Sequence, residues 1–268
     1  MIDLSVVIIT YNSKKLLVPC IRSVRRSISS VSHEIIVVEN GSKDGSLEWL
    51  RSRDDIITIE NESNRGIAPA RNQGMERASG RYLLILDVDT RVEPGAFEAL
   101  VHCMDRNPGV GIGAPKMTDG SGQLLYTCRN YPTVFTKIFR RLPFSFYDDL
   151  IDRELLKDWP HDTERDVDYV IGACQIIRRQ AYENIGPLDE SIFYGPEDID
   201  YCLRAWERGW RVRYFPHSVV RHLERHISTR LLSSMTLRHA LGLAHFFRKH
   251  RYLVSTDKLP GAGGGHER

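Results

Sequence analysis

The sequence predicts an α/β fold, with a mostly parallel central sheet flanked by helices and a C-terminal helix at the end. Three observations carry this expectation. Short apolar runs rich in Val and Ile recur through the first 90 residues, as in strands covered on both faces. Segments of helical periodicity separate those runs in alternation, the order that builds parallel sheets. A final apolar-periodic stretch, 231–250, is long enough to be a helix of its own.

The elements follow in order. LSVVIIT (4–10) is the first strand, and Leu16, Leu17, Ile21, Val24 and Ile28 mark a helix over 14–29. EIIVV (34–38) is a second buried strand, followed by a helix over 46–53. A strand over 56–60, a helix over 69–78 and the strand YLLIL (82–86) complete a β-α-β-α-β-α-β series. The second half is less regular, with a helix over 94–106 and a strand over 110–114. From 116 to 166 the pattern breaks up, and aromatic residues such as Tyr126, Tyr131, Phe135 and Trp159 lie among scattered arginines. A long segment of that kind is usually functional or mobile. A strand over 167–177, a helix over 198–208, a strand over 211–215 and the terminal helix finish the chain. GAGGGHER (261–268) reads as a flexible tail.

The 268 residues fit one large domain, or one domain with a helical appendage. A chain of this size buries roughly three-quarters of its extended surface and needs no covalent staples. The five cysteines show no Cys-x-x-Cys spacing, which argues against a zinc site or a disulfide framework and fits a reducing compartment. The formal charge of +2 gives no general attraction to nucleic acid. Basic residues do gather late, from Arg221 to Arg251, with Glu224 the only acid among them. Such an end suits phosphate or an anionic membrane surface, and equally a solvated helix face. No signal peptide is visible, and no apolar stretch approaches the roughly 18–20 residues that span a bilayer.

Parallel sheets place ligands beyond the carboxyl ends of their strands, and the polar motifs fall there. Asp87-Val88-Asp89 leaves YLLIL directly, and paired carboxylates suit a hard divalent cation. Taken alone, a polar turn ending a strand is the simpler reading. Gly195-Pro196-Glu197-Asp198-Ile199-Asp200 opens a helix with three acids. Caps and dipole partners explain one or two of them, while a third can act as a general base. His222 follows a strand-like run at 218–220 and offers a nitrogen ligand suited to manganese. A surface histidine in a histidine-rich stretch explains it as well. Glu39 to Ser46 is a turn and helix start whose acid can also hold a nucleotide base or ribose. GVGIG (109–113) lacks a phosphate-loop spacing and reads as structural.

Taken together and in order, these pieces resemble the inverting family-2 glycosyltransferases of the GT-A fold. The matching segments are VVIITYN (6–12), VENGSKDGS (38–46), NRGIAPARNQG (64–74), LDVDT (86–90), GACQIIRR (172–179) and YGPEDIDYCLRAWERGWRVRYFP (194–216), with His222 after them. The GPEDIDYCLR block and trailing histidine are most similar to the rhamnosyltransferase-like branch that builds bacterial surface polysaccharides. The resemblance implies that Thr10, Tyr11 and Asn12 line a nucleotide pocket. It implies that Glu39, where the family more often has aspartate, binds base or ribose, and that Arg71 and Asn72 approach nucleotide or sugar. Asp87 and Asp89 would form the metal-binding pair, with His222 completing the site. Asp198 would be the catalytic base, with Glu197 its close competitor.

The function so implied is a Mn2+- or Mg2+-dependent transfer from a nucleotide-diphosphate sugar, dTDP-rhamnose or a UDP-sugar, to an acceptor hydroxyl on a glycan, lipid-linked or small molecule. The expected layout is a GT-A domain over 1–222, with a nucleotide-binding half (1–115) and an acceptor half (116–222). A helical extension (223–258) and a disordered tail (259–268) follow. The expected setting is cytoplasmic, and the terminal helix suits the core or a homodimer, or peripheral contact at the inner membrane face. Two other classes compete, a nucleotidyltransferase and a non-catalytic sugar-nucleotide or glycan-binding module. TYNSKK does not look like the first one's phosphate loop, and a binding module needs no base.

Overall fold

The computed structural model of the protein describes residues 2–139, 148–193, 195–223, 234–252, 255–256 and 259–261. The first half runs β1 (Leu4–Thr10), α1 (Lys14–Arg26), β2 (His33–Glu39), α2 (Ser46–Arg51), β3 (Ile57–Glu60), α3 (Ile67–Arg77) and β4 (Tyr82–Asp87). Next come β5 (Thr90–Val92), α4 (Ala96–Arg106), β6 (Val110–Thr118), β7 (Leu124–Leu125), β8 (Cys128–Arg129), α5 (Val134–Phe139) and α6 (Asp148–Glu154). The chain continues with β9 (Arg165–Asp166), β10 (Tyr169–Val170), β11 (Cys174–Arg178), α7 (Arg179–Ile185), α8 (Glu197–Glu207), β12 (Arg211–His222) and α9 (Ser234–His250).

One large sheet organises the molecule, in the order β3-β2-β1-β4-β11-β6-β12-β5. Successive residues of a strand point to opposite faces, and the core divides accordingly. From β1, Val7 joins one buried cluster while Leu4, Val6 and Ile8 join the other. Leu17, Ile21 and Val24 of α1, with Phe97, Leu100 and Val101 of α4, cover the second face. Met75 of α3, Ala181 of α7, Leu203 of α8 and Phe246 of α9 cover the first. The continuous apolar runs are thus strands buried on both sides.

The first four strands pair in parallel, as expected. Beyond β4 the sheet is mixed, because β11 enters antiparallel between β4 and β6 while β6 and β12 pair in parallel. The strand expected over 167–177 is two elements. β10 pairs with β8 in a separate two-stranded sheet, and only β11 reaches the main one. The break falls at Gly172, whose carbonyl and amide are drawn to Arg71 and Asp198 rather than to a ladder. Conversely, the runs at 211–215 and 218–220 are one strand, irregular between Phe215 and Val219. GVGIG is structural: a Cβ on Gly111 would lie 2.6 Å from Trp210, and one on Gly113 2.8 Å from Phe215.

Part of the late basic cluster is paired within the chain. Lys249 pairs with Asp189 at 2.8 Å and with Asp200 at 2.6 Å, His250 with Asp200 at 2.8 Å, and Arg221 with Glu93 at 2.6 Å. Phe246 and Phe247 are buried, while Leu241 points outward. α9 therefore packs as a core helix of its own chain, and no helix among the described residues is long and apolar enough to cross a membrane. Packing also runs past 258, where a disordered tail was expected: Leu259 packs against the core. Residues 231–233 at the start of the expected terminal helix, and 262–268 of the tail, lie outside the described residues.

Candidate active site

Register brings the first group of polar residues to one edge. Thr10 pairs with Glu39, and Ile9 pairs with both Val38 and Asp87, so the carboxyl ends of β1, β2 and β4 lie side by side. Asn12 takes a left-handed conformation (φ 49°), a region that asparagine tolerates better than most residues. Its Oδ1 accepts from the Lys43 amide at 2.8 Å, and its own amide donates to Ser42 Oγ at 2.9 Å. These bonds tie the β1–α1 turn to the β2–α2 turn. Glu39 is buried and accepts from the Gly41 and Ser42 amides at 3.1 and 2.8 Å, holding the same turn. Thr10 Oγ1 is buried without a hydrogen-bond partner among the described residues, and Tyr11 stands exposed beside it.

The turn after β4 is built for carboxylates. Thr90 Oγ1 donates to the Asp87 carbonyl at 2.7 Å and fixes Asp87–Thr90. β5 then pairs antiparallel with the end of β12, His222 opposite Thr90, and the Leu223 amide donates to the Asp89 carbonyl at 2.9 Å. This pairing seats His222 Nε2 3.1 Å from Asp89 Oδ1. One ligand atom from each of Asp87, Asp89 and His222 lies within 4.8 Å of the others. Two carboxylates and an imidazole so placed could hold a divalent cation that accepts mixed oxygen and nitrogen ligands. Burial works against ionisation of Asp89, but the hydrogen bond and charge of His222 outweigh it and hold that carboxyl below its usual range.

The second acidic block faces the same space. A cleft of about 250 Å³ is lined by Asp87, His222, Arg71, Glu197 and Asp198 among others. The carboxylates after β4, those heading α8 and the late histidine therefore meet in one place. Asp198 is partly exposed and is held through both oxygens: Oδ2 accepts from the Gly172 amide at 3.0 Å and Oδ1 from the Ile199 amide at 2.8 Å. Glu197 is only 5% exposed and gives Oε1 to Arg71 at 3.0 Å. Its burial and the charge of Asp198 push its carboxyl up to about 7, against the pull of Arg71. Asp200, the third acid, is fully buried and bonded to Arg204 and His250. The capping reading of this block accounts for neither Glu197 nor Asp200, which have partners elsewhere.

Arg71 lies between the two blocks. Its guanidinium, 3% exposed, donates to Asp87 Oδ1 at 2.9 Å, to the Gly172 carbonyl at 2.7 Å and to Glu197 at 3.0 Å. Position 172 must be glycine for this, since a Cβ there would sit 2.4 Å from Arg71 Nη1. Asn72, expected to approach the nucleotide or sugar, has its side chain engaged within the chain. Its amide nitrogen donates to the Leu188 carbonyl and to Glu190, and its oxygen accepts from the Leu188 amide, so it anchors the 188–190 loop. The neighbouring helical position turns by about 100°, which aims Arg71 and Asn72 at different parts of the molecule.

Further cleft residues carried no motif signal. Arg129 of β8, Lys137 of α5, Tyr169 of β10 and His239 of α9 all line it, brought in by tertiary packing alone. Within the 116–166 segment several aromatic residues are core rather than ligand surface: Trp159 stacks on His161 with centroids 4.1 Å apart, and Tyr131 on Tyr169 at 6.4 Å. Residues 140–147 of that segment, with Phe144, Phe146 and Tyr147, lie outside the described residues.

Comparison with known proteins follows the same line. The family profile described as Glycosyl transferase family 2 matches residues 5–186. The N-acetylglucosaminyl-diphospho-decaprenol L-rhamnosyltransferase of Mycobacterium tuberculosis is 23% identical over 244 residues, covering 85% of this chain and 76% of that one. The pre-mycofactocin glycosyltransferase of the same species is 31% identical over 202 residues, 74% of this chain and 39% of that protein. Among solved structures, GalNAc-T7 with UDP, GalNAc and Mn2+ superposes with a TM-score of 0.66 at 18% identity, over 95% of this chain and 55% of that one. S. aureus TarS 1-349 gives 0.60 at 17% identity, over 83% and 60%. The chain spans less than two-thirds of either solved structure, and at these identities the likeness shows the fold.

Proposed function

The chain belongs to glycosyl transferase family 2, and from that premise we propose that it transfers a sugar, with inversion, from a nucleotide-diphosphate donor to an acceptor hydroxyl. One observation carries the reading: Asp87, His222 and Asp198 line a single cleft, with Asp89 bonded to His222. Asp87, Asp89 and His222 would hold Mn2+ or Mg2+, which when bound supplies positive charge against the diphosphate leaving group. Arg71 holds Asp87 toward that site. Thr10 Oγ1, buried without a hydrogen-bond partner among the described residues, and the neighbouring Glu39, Tyr11 and Asn12 form the edge at which a nucleotide would lie.

The acceptor hydroxyl attacks the anomeric carbon from the face opposite the diphosphate. A new C–O bond forms as the bond to the diphosphate oxygen breaks, and Asp198 takes the hydroxyl proton. Asp198 suits this role better than Glu197, because it is partly exposed and oriented by two amides while Glu197 is engaged with Arg71. A positioned base of this kind contributes roughly 10²–10⁴-fold in rate. The catalytic domain of this reading is residues 1–222, the nucleotide half being 1–115 and the acceptor half 116–222, with the helical extension lining one wall of its cleft. dTDP-rhamnose or a UDP-sugar is the proposed donor, and a glycan or lipid-linked molecule of bacterial surface polysaccharide or glycoconjugate synthesis the proposed acceptor. The relatives support these choices: one is a rhamnosyltransferase named for a diphospho-decaprenol acceptor, and one neighbour holds UDP with Mn2+. A thermal-shift screen of nucleotide sugars, with and without manganese, tests the reading. A rise in melting temperature that needs both nucleotide sugar and metal is expected. No shift with any of them would sink it.

A further inference from the structure

The family match ends at residue 186, before α8 and well before α9. Yet α9 reaches the cleft, where His239 and Leu243 line the wall beside Pro196, Glu197 and Asp198. The fit there is close on both sides. A Cβ on Gly242, in the middle of α9, would lie 2.5 Å from the Gly195 carbonyl oxygen, a backbone atom with little room to retreat. A Cβ on Gly195 would lie 3.0 Å from His239 Nδ1, and Gly195 has a φ of 44° that favours glycine. Glycine in a helix interior costs stability, so its presence at 242 needs a packing reason, and the approach to Gly195 supplies one.

The same helix also grips Asp189 and Phe193, on the way into α8. His245 and Lys249 reach Asp189 at 3.1 and 2.8 Å, and the Arg238 guanidinium lies 3.9 Å from the centre of the Phe193 ring. On its other side the segment is held by Asn72 at Leu188 and by the Ile67 amide, which donates to the Phe193 carbonyl at 3.3 Å. We propose that α9 is a positioning element of the active site: seated on Gly195 through Gly242, it fixes the loop that places Glu197 and Asp198. On this assignment Gly242 and Asp189 are positioning residues, and His239 and Leu243 form the wall of the cleft next to the base. The proposal rests on the reading of Asp198 as base.

Two variants of the full chain test it by different means. Gly242→Ala forces the helix off the Gly195 carbonyl, and Asp189→Asn removes the charge that His245 and Lys249 share. Donor turnover by water or acceptor is expected to fall about 10- to 100-fold in Gly242→Ala and several-fold in Asp189→Asn, since misplacing a reacting group by an ångström has that order of effect. Affinity for Mn2+ alone, and for the donor nucleotide with Mn2+, should be unchanged in both. Hydrogen exchange should quicken at 195–201 and remain as in the wild type at 82–92, which separates loosening of the loop from general destabilisation. Leu241→Ser, on the outward face of the same helix, should change none of these. Wild-type turnover in both variants, or unaltered exchange at 195–201, would overturn the proposal. Failure of the underlying reading looks different: Asp198→Asn would keep full turnover while the exchange response to Gly242→Ala persists.

Discussion

On one side of the cleft, Asp87, Asp89 and His222 sit at strand ends, and backbone ladders set their positions: β4 lies between β1 and β11, and β5 pairs with the end of β12. On the other side, Glu197 and Asp198 head a helix whose approach is held by side chains and single contacts from α3, α9 and the turn at Gly172. A ladder distributes its hold over many equivalent hydrogen bonds, so one substitution barely moves it. A loop held by a few side chains shifts when any of them is lost. On the proposed roles, remote mutations should reach Glu197 and Asp198 before they reach Asp87 and Asp89, lowering turnover more than donor affinity.

Four experiments press on this difference. Asp198→Asn should lower turnover roughly 10²–10⁴-fold and leave nucleotide affinity with Mn2+ intact in calorimetry. If Glu197→Gln produces that loss instead, the two acids exchange roles. Arg71→Met removes the ion-pair partner common to both sides and leaves buried Glu197 unpaired. It should cost about 3–5 kcal/mol in denaturant unfolding. Arg71→Lys should recover only part of that, because an ammonium cannot serve the carboxylates and the Gly172 carbonyl with a planar fork. Full stability in the methionine variant would mean the two sides are not joined through it.

Asp89→Ala should abolish the gain in nucleotide affinity that manganese confers, at least about 10-fold by analogy with perturbed metal sites, without altering exchange at 195–201. Metal-dependent affinity equal to wild type would remove Asp89 from the site. The mildest test is acid. Burial opposes ionisation of Asp189 and Asp200, yet Lys249 and His245 at the first, and His250, Arg204 and Lys249 at the second, hold both carboxyls below their usual range. A carboxylate depressed in the folded state contributes stability that is complete above the unfolded value of about 3.9 and fades as pH falls through the folded one. Exchange in α9 should therefore rise below about pH 4 while β1 and β4 stay protected. Equal protection of α9 at pH 3 and pH 6 would contradict this.

The first half of the fold was legible because each of its signals is local. LSVVIIT and YLLIL are strands whatever surrounds them, and the Asp-Val-Asp that follows a buried strand can only emerge at its end. The second half reads less well for a physical reason. The strand-like run 167–177 is interrupted at Gly172, where Arg71, 101 residues earlier, takes the carbonyl. Nothing in the residues around 172 records that partner. Asn72 is similar: next to Arg71 in a motif, it serves Leu188 and Glu190 across 116 and 118 residues. The terminal helix suited a membrane surface, a dimer interface or the core until Phe246 was seen buried and Lys249 and His250 paired with Asp189 and Asp200.

The sequence by itself determined the α/β class, the strand ends at which the polar motifs emerge, and through their order the family to which the chain belongs. These follow from periodicity and adjacency, which are properties of neighbouring residues. Only the tertiary structure decided that Arg71 joins the two acidic blocks, that Asn72 holds a loop, and that α9 forms a wall of the cleft. Those roles depend on pairings such as Arg71 with Glu197, 126 positions apart, and a pairing at that distance exists only once the sheet has brought its ends together.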